Sequence, residues 1–82
     1  MMSRLVNRPV PVAERRDGAP LAFSFRGRHR VARVLEAWRE AGEWWEGHGE
    51  RQVYRVETEG GGVFELLFDL ERRDWTLTRN YD

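Results

Sequence analysis

Few residues of this 82-residue chain have a type and spacing that could do chemistry. Ser3 and Ser24 are its serines, and Ser24 sits between Phe23 and Phe25 with no nucleophile-elbow context around it. His29 and His48 are its histidines. They share no ligand spacing with each other, with Asp69 or with Glu57, and His48 lies between two glycines, so no metal centre is expected. Glu57 and Glu59 are two residues apart, hence on one face of a strand. Without a pocket large enough to raise a carboxyl pKa they read as solvated charges. Gly60-Gly61-Gly62 precedes a strand pattern, not a helix, so it lacks the helix N-terminus that cradles phosphate. The absence of cysteine removes disulfides, zinc–thiolate sites, iron–sulfur clusters and thiol catalysis together. The expectation is a chain that is not an enzyme and carries no cofactor.

Recognition chemistry is better represented. Trp44-Trp45 is the most unusual feature. Neighbours on a strand point to opposite faces, and in a helical turn they diverge by about 100°, so only one of the two can enter a core. The other would cover a sheet edge or stand exposed, as tryptophans that anchor partners do. Every basic side chain is arginine, fourteen in all. Codon usage in a GC-rich genome explains that bias; the functional alternative is that arginine makes planar, bidentate contacts to carboxylates and phosphates. Arg26, Arg28, Arg30 and Arg33, with Arg55, could form a basic face near the aromatics, of the kind that binds single strands. Glu36, Glu40, Glu43, Glu46 and Glu50 follow directly and could neutralise it, and a solvated, salt-bridged surface is the plainer reading. Acids and bases cancel over the chain, so no global field draws in nucleic acid. The candidate binding surface is Trp44, Trp45, Arg26, Arg28, Arg30 and Arg55.

The elements that must position these residues are short strands. Residues 1–8 read as a flexible end. Pro9 and Pro11 alternate with Val10 and Val12, and proline's missing N–H assigns them to an edge strand or extended arm. Asp17-Gly18 marks a tight hairpin turn. Leu21, Phe23 and Phe25 then alternate with Ala22, Ser24 and Arg26, the period-2 signature of a half-buried strand, and Gly27-Arg28 is the next reversal. From His29 to Trp45 the signals conflict. Val31, Val34, Leu35 and Trp38 have helical spacing among helix-favouring residues, yet the segment follows a hairpin and is rich in valine. A strand over about 29–37 leading into a helical turn before Gly42 reconciles them. Further on, Tyr54, Val56 and Thr58 share one face of a strand, opposite Val53, Arg55 and Glu57. Glu59-Gly60-Gly61-Gly62 connects to a strand carrying Phe64, Leu66, Phe68 and Leu70 on one face. Arg72-Arg73-Asp74 turns the chain into a last strand with Trp75, Leu77 and Tyr81 on one side. The fold class is mainly β: a small antiparallel bent sheet or SH3-like half-open barrel of five or six strands with at most one short helix, occupying residues 9–82 as one domain.

The order Glu43-Trp44-Trp45, Arg51-Gln52-Val53-Tyr54-Arg55-Val56-Glu57-Thr58, Gly62-Val63-Phe64-Glu65-Leu66-Leu67-Phe68-Asp69 and Asp74-Trp75-Thr76-Leu77 resembles a family of short bacterial domains of unknown function, DUF6504-like. It is also similar to the C-terminal tail of ImuB, the polymerase-like but catalytically dead subunit of a mutagenic translesion polymerase complex. The likeness spans about residues 43–77, with a weaker correspondence at Phe23-x-Phe25-Arg26-Gly27-Arg28 and Val31. The chain departs from the pattern at Gln52-Val53, where an acidic residue and an aromatic are usual. What the resemblance implies is a fold and a setting in DNA repair or damage tolerance, not a reaction.

The sequence thus leads to a non-catalytic interaction module, with a protein partner or self-association through an edge strand as the expected partnership. The alternative is a weak nucleic-acid-binding domain that uses the same arginines and exposed aromatics. No small-molecule substrate is evident. No apolar run reaches the length of about 18–20 residues needed to span a membrane and the N-terminus has no signal-peptide pattern, so the expected location is the cytoplasm.

Overall fold

The computed structural model describes residues 3–41 and 49–81; Trp44 and Trp45 lie outside the described residues. Seven antiparallel strands form one sheet: β1 (Arg4–Pro9), β2 (Val12–Glu14), β3 (Pro20–Ser24), β4 (Arg28–Glu40), β5 (Arg51–Thr58), β6 (Val63–Asp69) and β7 (Asp74–Asn80), in the order β1-β7-β6-β5-β4-β3-β2. The architecture is mainly β, a curled half-barrel, with seven strands instead of five or six. No helix occurs among the described residues, hence none long and apolar enough to cross a membrane.

The extra strands come from the N-terminus. Where the sequence leads to a flexible end over residues 1–8, the structure pairs Arg4–Pro9 with β7, Arg4 opposite Asn80 and Pro9 opposite Thr76. The chain then crosses the barrel in one step. Val10 donates its N–H to the Trp75 carbonyl (3.4 Å), and the carbonyl of the next residue, Pro11, accepts from Ser24 N–H (3.2 Å). One segment therefore forms both edges of the sheet, β1 against β7 and β2 against β3, and its covalent corner holds the curl. Pro9 suits this edge, because the Val10 N–H points to β7 and the donor that Pro9 lacks falls on the side where no ladder continues.

The turns follow from their residues. Gly18, Gly27 and Gly61 all adopt positive φ, which glycine tolerates without steric cost. The Asp69 carboxylate accepts the N–H groups of Glu71 and Arg72, both at 2.9 Å, and so sets the β6–β7 turn.

The core gathers Val10, Phe23, Val56, Phe64, Leu66, Trp75 and Leu77 inside the curl. Two side chains depart from simple alternation because of bulges. The β2–β3 register shifts where Ala22 faces Ala13 but Pro20 faces Glu14, and Leu21, the unpaired residue, is turned outward and stands exposed although it matches Phe23 in parity. The β6–β7 register shifts between the Glu65–Arg79 and Leu66–Leu77 pairs, leaving Thr78 as the extra residue. Tyr81 consequently leaves the face of Trp75 and Leu77 and meets Glu65 and Arg55 on the other side.

The His29–Glu40 segment resolves as strand throughout, with no helical turn before Ala41. Two bulges produce the Val31, Val34 and Leu35 part of its helix-like spacing, Leu35 being the extra residue of the second bulge, while Trp38, opposite Val53, lies on the other sheet face. Val31, Val34 and Ala37 step by three residues while their partners on β5, Thr58, Val56 and Tyr54, step by two. An extra residue per step gives a three-residue apolar repeat on one sheet face, which a sequence pattern alone cannot tell from a helix.

Candidate functional site

Pairing on β4 is one-sided over most of its length. Only Arg28, His29 and Arg30 pair with β3, whereas Val31 to Glu40 pair with β5. Among the described residues, no strand lies along the other edge of this long segment. Val34 and Leu35 are exposed there, at 37 and 40 %. The bulges break up the edge between Val31 and Glu36, and regular pairing resumes from Glu36 to Glu40.

The outward faces of β4 and β5 carry a charge-paired network. Arg55 bonds to Glu36 and donates to the Tyr81 hydroxyl at 3.3 Å, and Tyr81 donates to Glu65 at 2.9 Å. The Arg55 guanidinium also lies 5.7 Å from the Trp38 ring centre and 5.0 Å from that of Tyr81, within cation–π range. The hydrogen bond with Tyr81 pushes the Arg55 pKa further up, so this arginine is a permanent cation. Neighbouring pairs repeat the theme: Arg33 with Glu57 at 2.6 Å, Arg39 with Glu50 at 3.4 Å, and Arg51 with Glu40 at 3.8 Å.

The proposed arginine face is therefore divided. Arg30 pairs with Glu59 at 3.8 Å and Arg55 with Glu36. Arg55 sits opposite Glu36, whereas Arg30 lies beside Glu59, four residues farther along the unbulged β5 side, about 13 Å away at the usual strand rise. Arg28 begins β4 opposite Ser24, and Arg26 occupies the β3–β4 turn with its guanidinium 5.4 Å from the Phe25 ring centre. Arg26 and Arg28 have no acidic partner among the described residues, and the same holds for Arg4 and Arg8 on β1. Arg8 reaches the same ring as Arg26, 5.6 Å from its centre. Sequence reasoning missed Arg4 and Arg8 because they fall in the stretch it left unstructured. Pro9-Val10-Pro11, directly after them, was the available signal of an edge strand.

At the opposite mouth of the curl, Tyr54, Phe68, Gln52, Arg39, Arg73 and Glu14 border a cleft of about 270 Å³. Burial, assisted by the carboxylates of Asp17 and Glu14, raises the Tyr54 pKa and keeps the phenol neutral. Glu14 also accepts the Trp75 indole N–H at 3.1 Å, tying β2 to β7.

The remaining chemical candidates have structural roles. The His29 ring stacks on Phe23 at 5.1 Å, and its Nε2 is 2.8 Å from the Phe25 carbonyl. Asp69 caps its turn and Glu57 meets Arg33. Among the described residues no three His, Asp or Glu side chains converge as metal ligands would.

A family model described as a domain of unknown function, DUF6504, matches residues 2–82. No curated protein and no solved structure matches the chain.

Proposed function

Because the chain belongs to the DUF6504 family of domains of unknown function, its role must be argued from its surfaces, and we propose that it is a non-catalytic interaction module that takes an extended segment of a protein partner along β4. The observation that carries this reading is that, among the described residues, Val31 to Glu40 pair on one side only. An open strand edge offers N–H and C=O groups at a regular spacing, and a partner chain in extended form satisfies them by adding a strand. The exposed Val34 and Leu35 side chains supply apolar contact beside that ladder. The bulges confine regular pairing to Glu36–Glu40, which limits indiscriminate association and leaves a short, selective edge. The neutral, cross-paired charges on β4 and β5 favour a protein over a polyanion at this face. The setting in DNA repair or translesion synthesis, and a cytoplasmic location, rest on the likeness to the ImuB tail and on the absence of cysteine.

The test is affinity capture from cells exposed to DNA damage, using the protein and its Leu35→Asp variant as paired baits, followed by hydrogen exchange on the purified complex. The expected result is a stoichiometric partner lost with Leu35→Asp, with slowed exchange at the amides of residues 36–40. A partner retained by the variant, with unchanged β4 exchange, would overturn the reading.

A further inference from the structure

We propose that the end of the barrel between β1 and the β3–β4 turn binds a nucleotide unit, its phosphate held by Arg4, Arg8 and Arg26 and its base received by an adjoining aromatic cleft. The site is distinct from the β4 edge and does not depend on it.

Local backbone geometry builds the cationic half. The β1–β7 register shifts between Leu5 and Arg8, where Asn7 takes a φ of +49°, and Arg8 is thereby brought over Phe25. Arg26 has a φ of +54° and precedes Gly27, and this left-handed turn returns its guanidinium to the same ring. Two arginines far apart in the sheet order thus converge on one phenyl group, and Arg4 lines the same cleft, of about 150 Å³. None of the three has an acidic partner among the described residues, although the chain as a whole is neutral. Like charges gathered this way call for an anion, and the planar fork of arginine matches phosphate oxygens bidentately.

The second half shares Phe25, Arg26 and Asn80 with the first and adds His29 and Phe64, in a cleft of about 200 Å³. Its walls are aromatic: Phe64 and His29 lie 5.1 Å apart between ring centres. Asn80, opposite Phe64 at the end of β7, lines both clefts, and its buried Oδ1 accepts no hydrogen bond among the described residues. A buried acceptor in a native protein is ordinarily satisfied. A flat ring carrying an N–H edge would satisfy it while lying against the aromatic walls, with the phosphate a short reach away at Arg26. Each cleft is smaller than the roughly 300–1,000 Å³ of a drug-sized pocket, which suits one base and one phosphate. A carboxylate from an acidic peptide would meet the arginines but leave Asn80 and the aromatic walls unused. A nucleobase with its phosphate occurs both in a free nucleotide and in a single strand, and the experiment separates the two.

The experiment is an amide chemical-shift titration of the whole chain with thymidine monophosphate, a short oligothymidylate, inorganic phosphate and an acidic peptide, at low and physiological salt. The expected result is saturable shifts at residues 4–8, 25–29 and 80 with a thymidine ligand. Binding of the mononucleotide shows that one unit suffices, and binding of the strand alone shows that neighbouring phosphates contribute. Arg8→Glu and Arg26→Glu should each weaken strand binding roughly tenfold or more and flatten its salt dependence. Asn80→Ser should weaken the thymidine ligands and leave inorganic phosphate unchanged, a split that a merely structural Asn80 would not produce. Leu35→Asp should bind nucleotide as the parent chain does, which keeps this test independent of the β4 edge. Absence of saturable shifts, shifts confined to other strands, or equal shifts with the acidic peptide would overturn the proposal.

Discussion

Leu66 and Leu77 face each other across β6 and β7 with no accessible surface left, whereas Leu35, of the same type, stands on β4 with 40 % of its surface exposed. The difference fixes what substitution should do. Leu66→Ala removes buried methyl groups and leaves a cavity the surrounding strands can only partly close, so it should cost about 2–5 kcal/mol in urea denaturation. Leu35→Ala should change stability by no more than about 0.5 kcal/mol, since surface substitutions without a special partner rarely exceed that. Equal losses at the two positions would mean that β4 is covered by something that hides Leu35. Tyr81 shows how a single residue can be misplaced by counting. Its parity with Trp75 and Leu77 assigns it to the core, yet its hydroxyl bonds Glu65 and Arg55 on the outer face. The extra residue at Thr78 reverses every side chain that follows it.

Among the elements, the turns are the most directly encoded. Gly61 adopts a φ of +94°, and a Cβ placed there would touch nothing. Gly61→Val should therefore destabilise through backbone strain alone, by about 1–2 kcal/mol, since left-handed conformations disfavour branched side chains. A denaturation midpoint equal to that of the parent chain would show that the turn re-forms with another geometry. The Asp17-Gly18 turn, the glycine connection before β6 and the Arg72-Arg73-Asp74 reversal were all legible in the sequence, as were β5 and β6, because dipeptide chemistry and strict alternation are local signals. The bulges were not. Val31, Val34 and Leu35 look helical because the strand gains a residue at each bulge against β5, and that gain depends on a partner about twenty residues away. Arg26, Arg28, Arg30 and Arg55 were legible as arginines but not as neighbours, since their cross-strand acids decide which remain unpaired. Arg4 and Arg8 were hidden for the same reason: β1 is extended only because β7 is there to pair with it.

At the scale of the whole molecule, the fold depends on pairing the first strand with the last. β1 lies on β7, and the Val10–Pro11 corner hands the chain to β3. Removing residues 3–9 should expose the β7 edge and release the curl. Thermal unfolding followed by circular dichroism should show a strongly lowered midpoint or no cooperative transition. An unchanged midpoint would mean that the core strands β3–β7 hold their shape without closure. Because such distant segments must meet before the core is complete, folding should be slow for a chain of this size, in the millisecond-to-second range of sheets dominated by long-range contacts.

The antiparallel placement of β1 on β7 also sets how the protein would respond to a pull. Arg4 lies opposite Asn80, so tension applied between these two positions acts across the ladder at its open end and not along it. The hydrogen bonds of the pair would then be loaded one after another, as in a zipper, instead of together as in a shear joint. Once β1 has peeled to Pro9, the load reaches the Val10–Pro11 corner and is shared with β3, so a force–extension trace should show a soft first yield followed by a stiffer one.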